Sequence, residues 1–138
     1  MNTKQRTHRN CRGISTLEFI VVLPFLLYIM LVAVELSRAL WTYNVVVQAA
    51  REGARVGVVT PLIGNTFNSG PAMARIATVL AGVNVVHTGA TTVVCSNPCA
   101  SDAQVTATVV VNFNTLFPGF VPLMTGLTFS ERTVMRYE

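Results

Sequence analysis

The chain has 138 residues, 51% of them hydrophobic and 12% charged, with a mean hydropathy of +0.53. That is one domain's worth of protein, too apolar for an ordinary soluble domain and too short for a multi-span transporter. Ten Lys/Arg against six Asp/Glu give a net charge of +4, and Lys4, Arg6, Arg9 and Arg12 account for all of it. A basic tail can bind nucleic acid or anionic lipid, but directly ahead of an apolar run it sets orientation in a membrane.

That run is FIVVLPFLLYIMLVAV, residues 19–34, which carries no charge; residues 14–34 carry only Glu18. At ~1.5 Å per residue the longer segment reaches ~30 Å, one hydrocarbon core. The preceding cations predict a single span with the N-terminus in the cytoplasm and everything after Val34 across the membrane. A cleavable secretory signal fits poorly, because the run ends in Val34-Glu35-Leu36-Ser37-Arg38 with no small-residue cleavage pattern. Cys11 lies before the run, so a lipoprotein signal does not fit either.

Beyond the span, Leu36, Leu40, Tyr43, Val47, Ala50 and Ala54 recur at steps of four and three, predicting the apolar face of a helix. Asn44, Gln48, Arg51, Glu52 and Arg55 fill the other side. The two halves read as one helix over 14–59, ~70 Å long, stopped before Pro61 and kinked at Pro24. Ala49, Gly53 and Gly57 form a small-residue patch, and each interior Gly costs about 1 kcal/mol relative to Ala. Two readings stand for it: close approach of a neighbouring helix, or close packing on this chain's own sheet.

Glu18 near the cytoplasmic end of the span either sits among headgroups or has a role inside the membrane, where a mid-span carboxylate costs about 2.5–3.5 kcal/mol. Its context favours a role. Four basic residues, then Arg12-Gly13, then Ile14-Ser15-Thr16-Leu17-Glu18-Phe19 and an apolar run resemble a type IV prepilin leader. The resemblance implies cleavage between Gly13 and Ile14 by a membrane-embedded aspartyl prepilin peptidase, with Glu18 as the fifth mature residue. The new ammonium at Ile14 could then be neutralised by Glu18 of a neighbouring subunit, since an unpaired charge in an apolar filament is expensive. More specifically, Glu18-Phe19, Leu23-Pro24, the Glu35…Arg38 step and Ala49-Ala50-Arg51-Glu52-Gly53-Ala54-Arg55 resemble TadE-like pseudopilins, minor pilins of the tight-adherence (Flp, type IVb) pilus system. Specificity is concentrated in residues 12–57. Phe19, where major Flp pilins usually carry Tyr, and a sizeable C-terminal domain point to a minor pilin over the bulk filament subunit.

Residues 60–138 read as a small periplasmic module. Pro71 opens a short helix through Ala81, with Gly82 as its stop. Residues 83–87 and 91–95 are candidate strands around Thr88-Gly89-Ala90. Val105, Ala107, Val109, Val111 and Phe113 alternate with polar residues as a half-buried strand. Residues 127–137 alternate less cleanly, with Glu131 interrupting Leu127, Phe129, Met135 and Tyr137. The predicted fold is α+β and pilin-like: a long N-terminal helix packed on a small antiparallel sheet, with one short extra helix. The domain plan is a leader at 1–13, the helix at 14–59 with its span at 14–34, and the module at 60–138.

Cys95-Ser96-Asn97-Pro98-Cys99 is a candidate local disulfide in an oxidising periplasm, and closing so short a loop is worth ~2 kcal/mol in the chain-entropy model. A metal reading would need two more ligands, and His87 is the only nearby histidine. The segment 114–126, with Leu116-Phe117-Pro118-Gly119-Phe120-Val121-Pro122-Leu123-Met124, either tucks under the sheet or forms a subunit-contact surface.

No enzyme signature is present: there is no Gly-rich phosphate loop, no paired carboxylates outside the span and no Cys/His pair with a third member. Nothing in the sequence asks for a cofactor, a small-molecule substrate or nucleic acid. The TadE-like resemblance implies a structural assembly protein of the bacterial inner membrane, extracellular if built into the pilus. Its implied partners are the prepilin peptidase, a sister TadF-like pseudopilin, the major Flp pilin, the inner-membrane assembly platform with its ATPase, and membrane lipid. The alternative is an uncleaved, single-pass, membrane-anchored periplasmic binding module.

Overall fold

A computed structural model describes residues 12–63, 66–83, 85–87, 90–96, 99 and 102–136, with side chains from residue 16 onward except at 86 and 87. Most of the basic leader, Cys11 and Thr88-Gly89 lie outside the described residues, as do Tyr137 and the side chains of Ile14 and His87. The chain forms two compact units, Met1–Val34 and Glu35–Glu138.

Helix α1 (Arg12–Val59) contains Pro24 and runs without a break through both halves of the expected helix. Its first part is rich in β-branched residues, which are mediocre helix formers in water. In hydrocarbon, however, the helix is the one single-segment structure that satisfies every backbone group. Side chains here find no protein to bury them: Phe19, Phe25 and Ile29 are each more than 60% exposed. This is the one helix among the described residues long and apolar enough to cross a membrane. At its other end, Thr60 donates both its N–H and its hydroxyl to the Val56 carbonyl, at 3.0 and 2.7 Å. Pro61 then prevents another turn.

In the second unit, the distal part of α1 and helix α2 (Gly70–Leu80) pack on one antiparallel sheet. Its central strand, β3 (Gln104–Phe113), buries Val105, Ala107, Val109, Val111 and Phe113 and turns the alternate residues outward. Strand β4 (Thr128–Arg136) pairs along one edge of β3, from Gln104↔Arg136 to Asn112↔Thr128. Phe129 and Met135 pack against the core, and Glu131 is half-buried on the same face.

On the other edge, strands β1 (Val85–His87) and β2 (Thr92–Cys95) both pair with β3, end to end. His87 stands opposite Val111 and Thr92 opposite Thr108, so Val109 and Val110 lie between the two registers. Thr91 bridges this gap: its hydroxyl accepts from the Val110 N–H and donates to the Val110 carbonyl, both at 3.2 Å. The sheet is therefore three strands wide, its first position shared by two short strands. A long β3 offers ten residues of edge, and neither short strand alone could cover it.

The buried face of α1 also differs from the predicted one. Leu36, Leu40 and Tyr43 are exposed, and Val47 is only partly buried. The face turned inward is Glu35, Ala39, Thr42, Val46, Ala49, Gly53, Gly57 and Thr60, one residue earlier around the helix, with Ala50 and Ala54 at its margin. Small side chains win because the contact is too close for large ones. A Cβ at Gly53 would stand 2.5 and 2.6 Å from Ile76 Cδ1 and Cγ1, and one at Gly57 would stand 2.8 Å from Val105 Cγ1. Of the two readings of the Ala49, Gly53 and Gly57 patch, the structure shows packing on this chain's own α2 and sheet. Ala72, Ile76 and Leu80, four residues apart on α2, complete that core.

Ile76 is 2% exposed and has no room to yield. Gly53→Ala gains about 1 kcal/mol of helix propensity but incurs an overpacking cost of about 1–3 kcal/mol. The expected outcome is a lower thermal midpoint for the full chain in detergent. Gly82→Ala, where nothing lies within 4 Å, should leave the midpoint unchanged or raise it.

Candidate assembly surface

Glu35 is the first residue after the uncharged run and is fully buried in the second unit. A carboxylate out of water needs partners on both oxygens. Oε1 accepts the N–H groups of Leu116 and Phe117 at 2.7 and 3.0 Å, and Oε2 accepts Arg38 Nη1 at 2.9 Å. Arg38 is in turn held from three sides. Besides Glu35, its Nη2 reaches the Asn114 carbonyl at 3.4 Å, and its Cζ lies 5.4 Å from the centroid of Phe113. That is cation–π range. Phe113 continues into an edge-to-face aromatic row with Phe129 and then Tyr43, at 5.9 and 6.1 Å.

The effect is to clamp one loop to the helix. Segment 114–126 leaves β3 and returns to β4 through a neck closed by the Phe113 N–H on the Leu127 carbonyl, at 2.8 Å. Inside it, Phe120 and Val121 N–H groups bond the Phe117 carbonyl, and a single 3-10 turn covers Pro122–Met124. Gly126 takes a φ of 78°, a left-handed conformation that Gly adopts without strain, to re-enter the strand. Val121 is 4% exposed and plugs the loop from within; Leu116, Phe120 and Leu123 are 53%, 60% and 91% exposed. The loop thus does not tuck under the sheet. It presents large apolar side chains outward, and Leu36, Leu40 and Trp41 of α1 are exposed as well.

Gly13 and Ile14, the expected cleavage pair, lie in the first turn of α1, and Glu18 is exposed one turn further on. Cys95 and Cys99 are bonded, with Cα atoms 5.7 Å apart, at the connection leaving β2. Ser96 extends the ladder there: its N–H donates to the Gln104 carbonyl and its hydroxyl accepts the Gln104 N–H, at 2.8 and 2.9 Å. Among the described residues no group of three metal-ligating side chains comes together. A shallow groove of about 590 Å³ lies between the end of α1 and the start of α2, lined by Arg55, Val56, Val59, Pro61 and Pro71 among others. Glu52 bridges Arg75 and Arg55 there at 3.4 and 3.9 Å, in pairs exposed enough to contribute little.

The model of the TadE-like protein family matches residues 13–55. Over those residues the chain is TadE-like. No curated protein and no solved structure matches it. The matched segment lies within α1 and covers less than half of the chain. It includes Glu18, Ala49, Gly53 and both halves of the Glu35–Arg38 pair. The role of that pair was missed by sequence reasoning, although an acid closing an apolar run with an arginine three residues on is a visible sign of an ion pair on one helix face.

Removing the Glu35 carboxylate leaves two backbone donors and a partly buried guanidinium without their partner. Glu35→Ala should destabilise the full chain by about 2–4 kcal/mol in denaturant titration. Hydrogen exchange should show the Leu116 and Phe117 amides losing protection first, while Glu35→Gln retains part of it.

Proposed function

We propose that this chain is a minor pilin or pseudopilin that takes part in assembly or initiation of a Tad/Flp type IVb pilus used in surface adhesion, matured by prepilin peptidase cleavage after Gly13. The observation that carries the reading is the TadE-like match over 13–55, which takes in the leader junction and Glu18. The described geometry supports it. The span finds no burial within its own chain, and Leu36, Leu40 and Trp41 remain uncovered on α1 beyond it. Such a helix is suited to packing among copies of similar helices.

In this reading residues 1–13 are cytoplasmic until cleaved, α1 crosses the inner membrane, and the unit from Glu35 onward lies in the periplasm. Cleavage removes the cationic leader and frees the Ile14 ammonium. Glu18 of an adjacent subunit neutralises that ammonium and sets the register between helices. The partners are the peptidase, a TadF-like pseudopilin, the major Flp pilin and the inner-membrane platform with its ATPase.

Intact mass and N-terminal sequencing of protein from bacterial membranes, with and without the peptidase, test the pathway. A chain starting at Ile14 only when the peptidase is present is the expected result. A chain retaining residues 1–13 in both would leave a permanently anchored periplasmic binding module. Glu18→Ala should be cleaved normally yet fail in pilus assembly; a wild-type pilus count from that variant would remove the assigned role of Glu18.

A further inference from the structure

We propose that the groove between the end of α1 and the start of α2 binds an acidic, partly apolar segment of a partner protein. The segment is extended: two carboxylates on alternate residues meet Arg51 and Arg55, and an apolar side chain two residues further on lies over Val59. The groove belongs wholly to the unit Glu35–Glu138, and the proposal rests on no part of the function given above.

Charge selects the occupant. Two depressions adjoin here, of about 590 and 340 Å³, and Glu52 and Arg75 line both. Arg55 lines the first and Arg51 the second, so three guanidinium groups stand against one carboxylate, an excess of two positive charges. That single carboxylate does not saturate them. Arg55 reaches Glu52 only at 3.9 Å, beyond hydrogen-bond range, and Arg75 reaches it through Nε at 3.4 Å. Arg51 makes no ion pair or hydrogen bond among the described residues. A guanidinium with donors to spare takes a carboxylate through two parallel N–H···O bonds.

Shape and spacing make that ligand a peptide. Val56, Val59, Pro61 and Pro71 give the larger depression an apolar floor, with Val59 at 77% exposure. A bare anion would leave this floor wet, whereas a ligand that is acidic at one end and apolar at the other covers it. Glu52, set among the arginines, repels a dense charge such as a phosphate monoester but leaves single carboxylates room on either side. Arg51, Arg55 and Val59 follow one another at steps of four, all exposed along one line of α1. Their spacing is ~6 Å per step at the helical rise. Alternate residues of an extended chain point to the same side ~6.5 Å apart. An acid, a second acid and an apolar residue at alternate positions therefore fall in register with Arg51, Arg55 and Val59.

The test uses the full chain in nanodiscs of phosphatidylcholine and a capped, fluorescent heptapeptide, Leu-Ser-Glu-Ser-Glu-Ser-Leu, which presents the pattern in either direction. Fluorescence anisotropy should show saturable binding that weakens at raised salt and is lost when Gln replaces both Glu of the peptide. Arg51→Gln, Arg55→Gln and Val59→Ser should each weaken it several-fold, as should Ser in place of both Leu of the peptide. Glu52→Gln, which removes the internal competitor, should tighten it. Arg132→Gln, on β4, should leave it unchanged. Absence of saturable binding overturns the proposal, as does equal binding of the Gln peptide. Loss of binding in Arg132→Gln as large as in Arg51→Gln also overturns it, since that would be attraction to net charge alone. Retention of glycerol phosphate but not of the peptide, abolished by the same arginine variants, assigns the groove to lipid headgroups and ends the peptide reading. Peptidase and pilin partners are absent throughout, so failure of the pilus reading leaves this result standing.

Discussion

The structure beyond the span depends on how closely α1 approaches β3. Ala39, Val46, Ala49, Gly53 and Gly57 leave a smooth strip along the helix, and Val105 and Ile76 press into it at distances that exclude even one added methyl group. A contact so close makes core from short side chains, because dispersion falls off steeply with separation and a tight fit recovers what small residues lack in area. It also dictates what remains outside. With the strip of small residues turned inward, Leu36, Leu40 and Trp41 have no place in the core and are presented outward.

The strip does not end in apolar residues at its N-terminal limit. Glu35 occupies that end, fully buried and bonded to two backbone amides and a guanidinium. A charge at such a position tolerates one arrangement of its neighbours, whereas an alkyl side chain would accept many. The result is a loop with a fixed root and an apolar crown. The interior strip stabilises the unit, while the uncovered helix face and the loop crown are the surfaces it offers to others.

The elements themselves were legible in the sequence. Sixteen uncharged residues, continued by a period near 3.6, describe α1; Pro71 and Gly82 bracket α2; and strict alternation from Val105 to Phe113 describes β3 and its buried face. The leader residues and the AAREGAR segment that suggested a TadE-like protein lie in or beside the region that matches that family. Side-chain hydrophobicity misassigned the inward face of α1, because it ranks Leu36 and Leu40 above Gly53 and Gly57.

Chain chemistry by itself determined what depends on near neighbours and on solvent: a membrane-length apolar helix, its termination at Pro61 and the alternation of β3. Tertiary structure alone decided which side of α1 faces inward, that β1 and β2 share one edge of β3 with Thr91 bridging the gap, and that Glu35 binds residues some eighty positions away. Periodicity reports the polarity of each position, and polarity is local. Burial against a sheet is decided by how much room is left when two surfaces meet, and the partners of a buried carboxylate by which distant donors that meeting brings within reach.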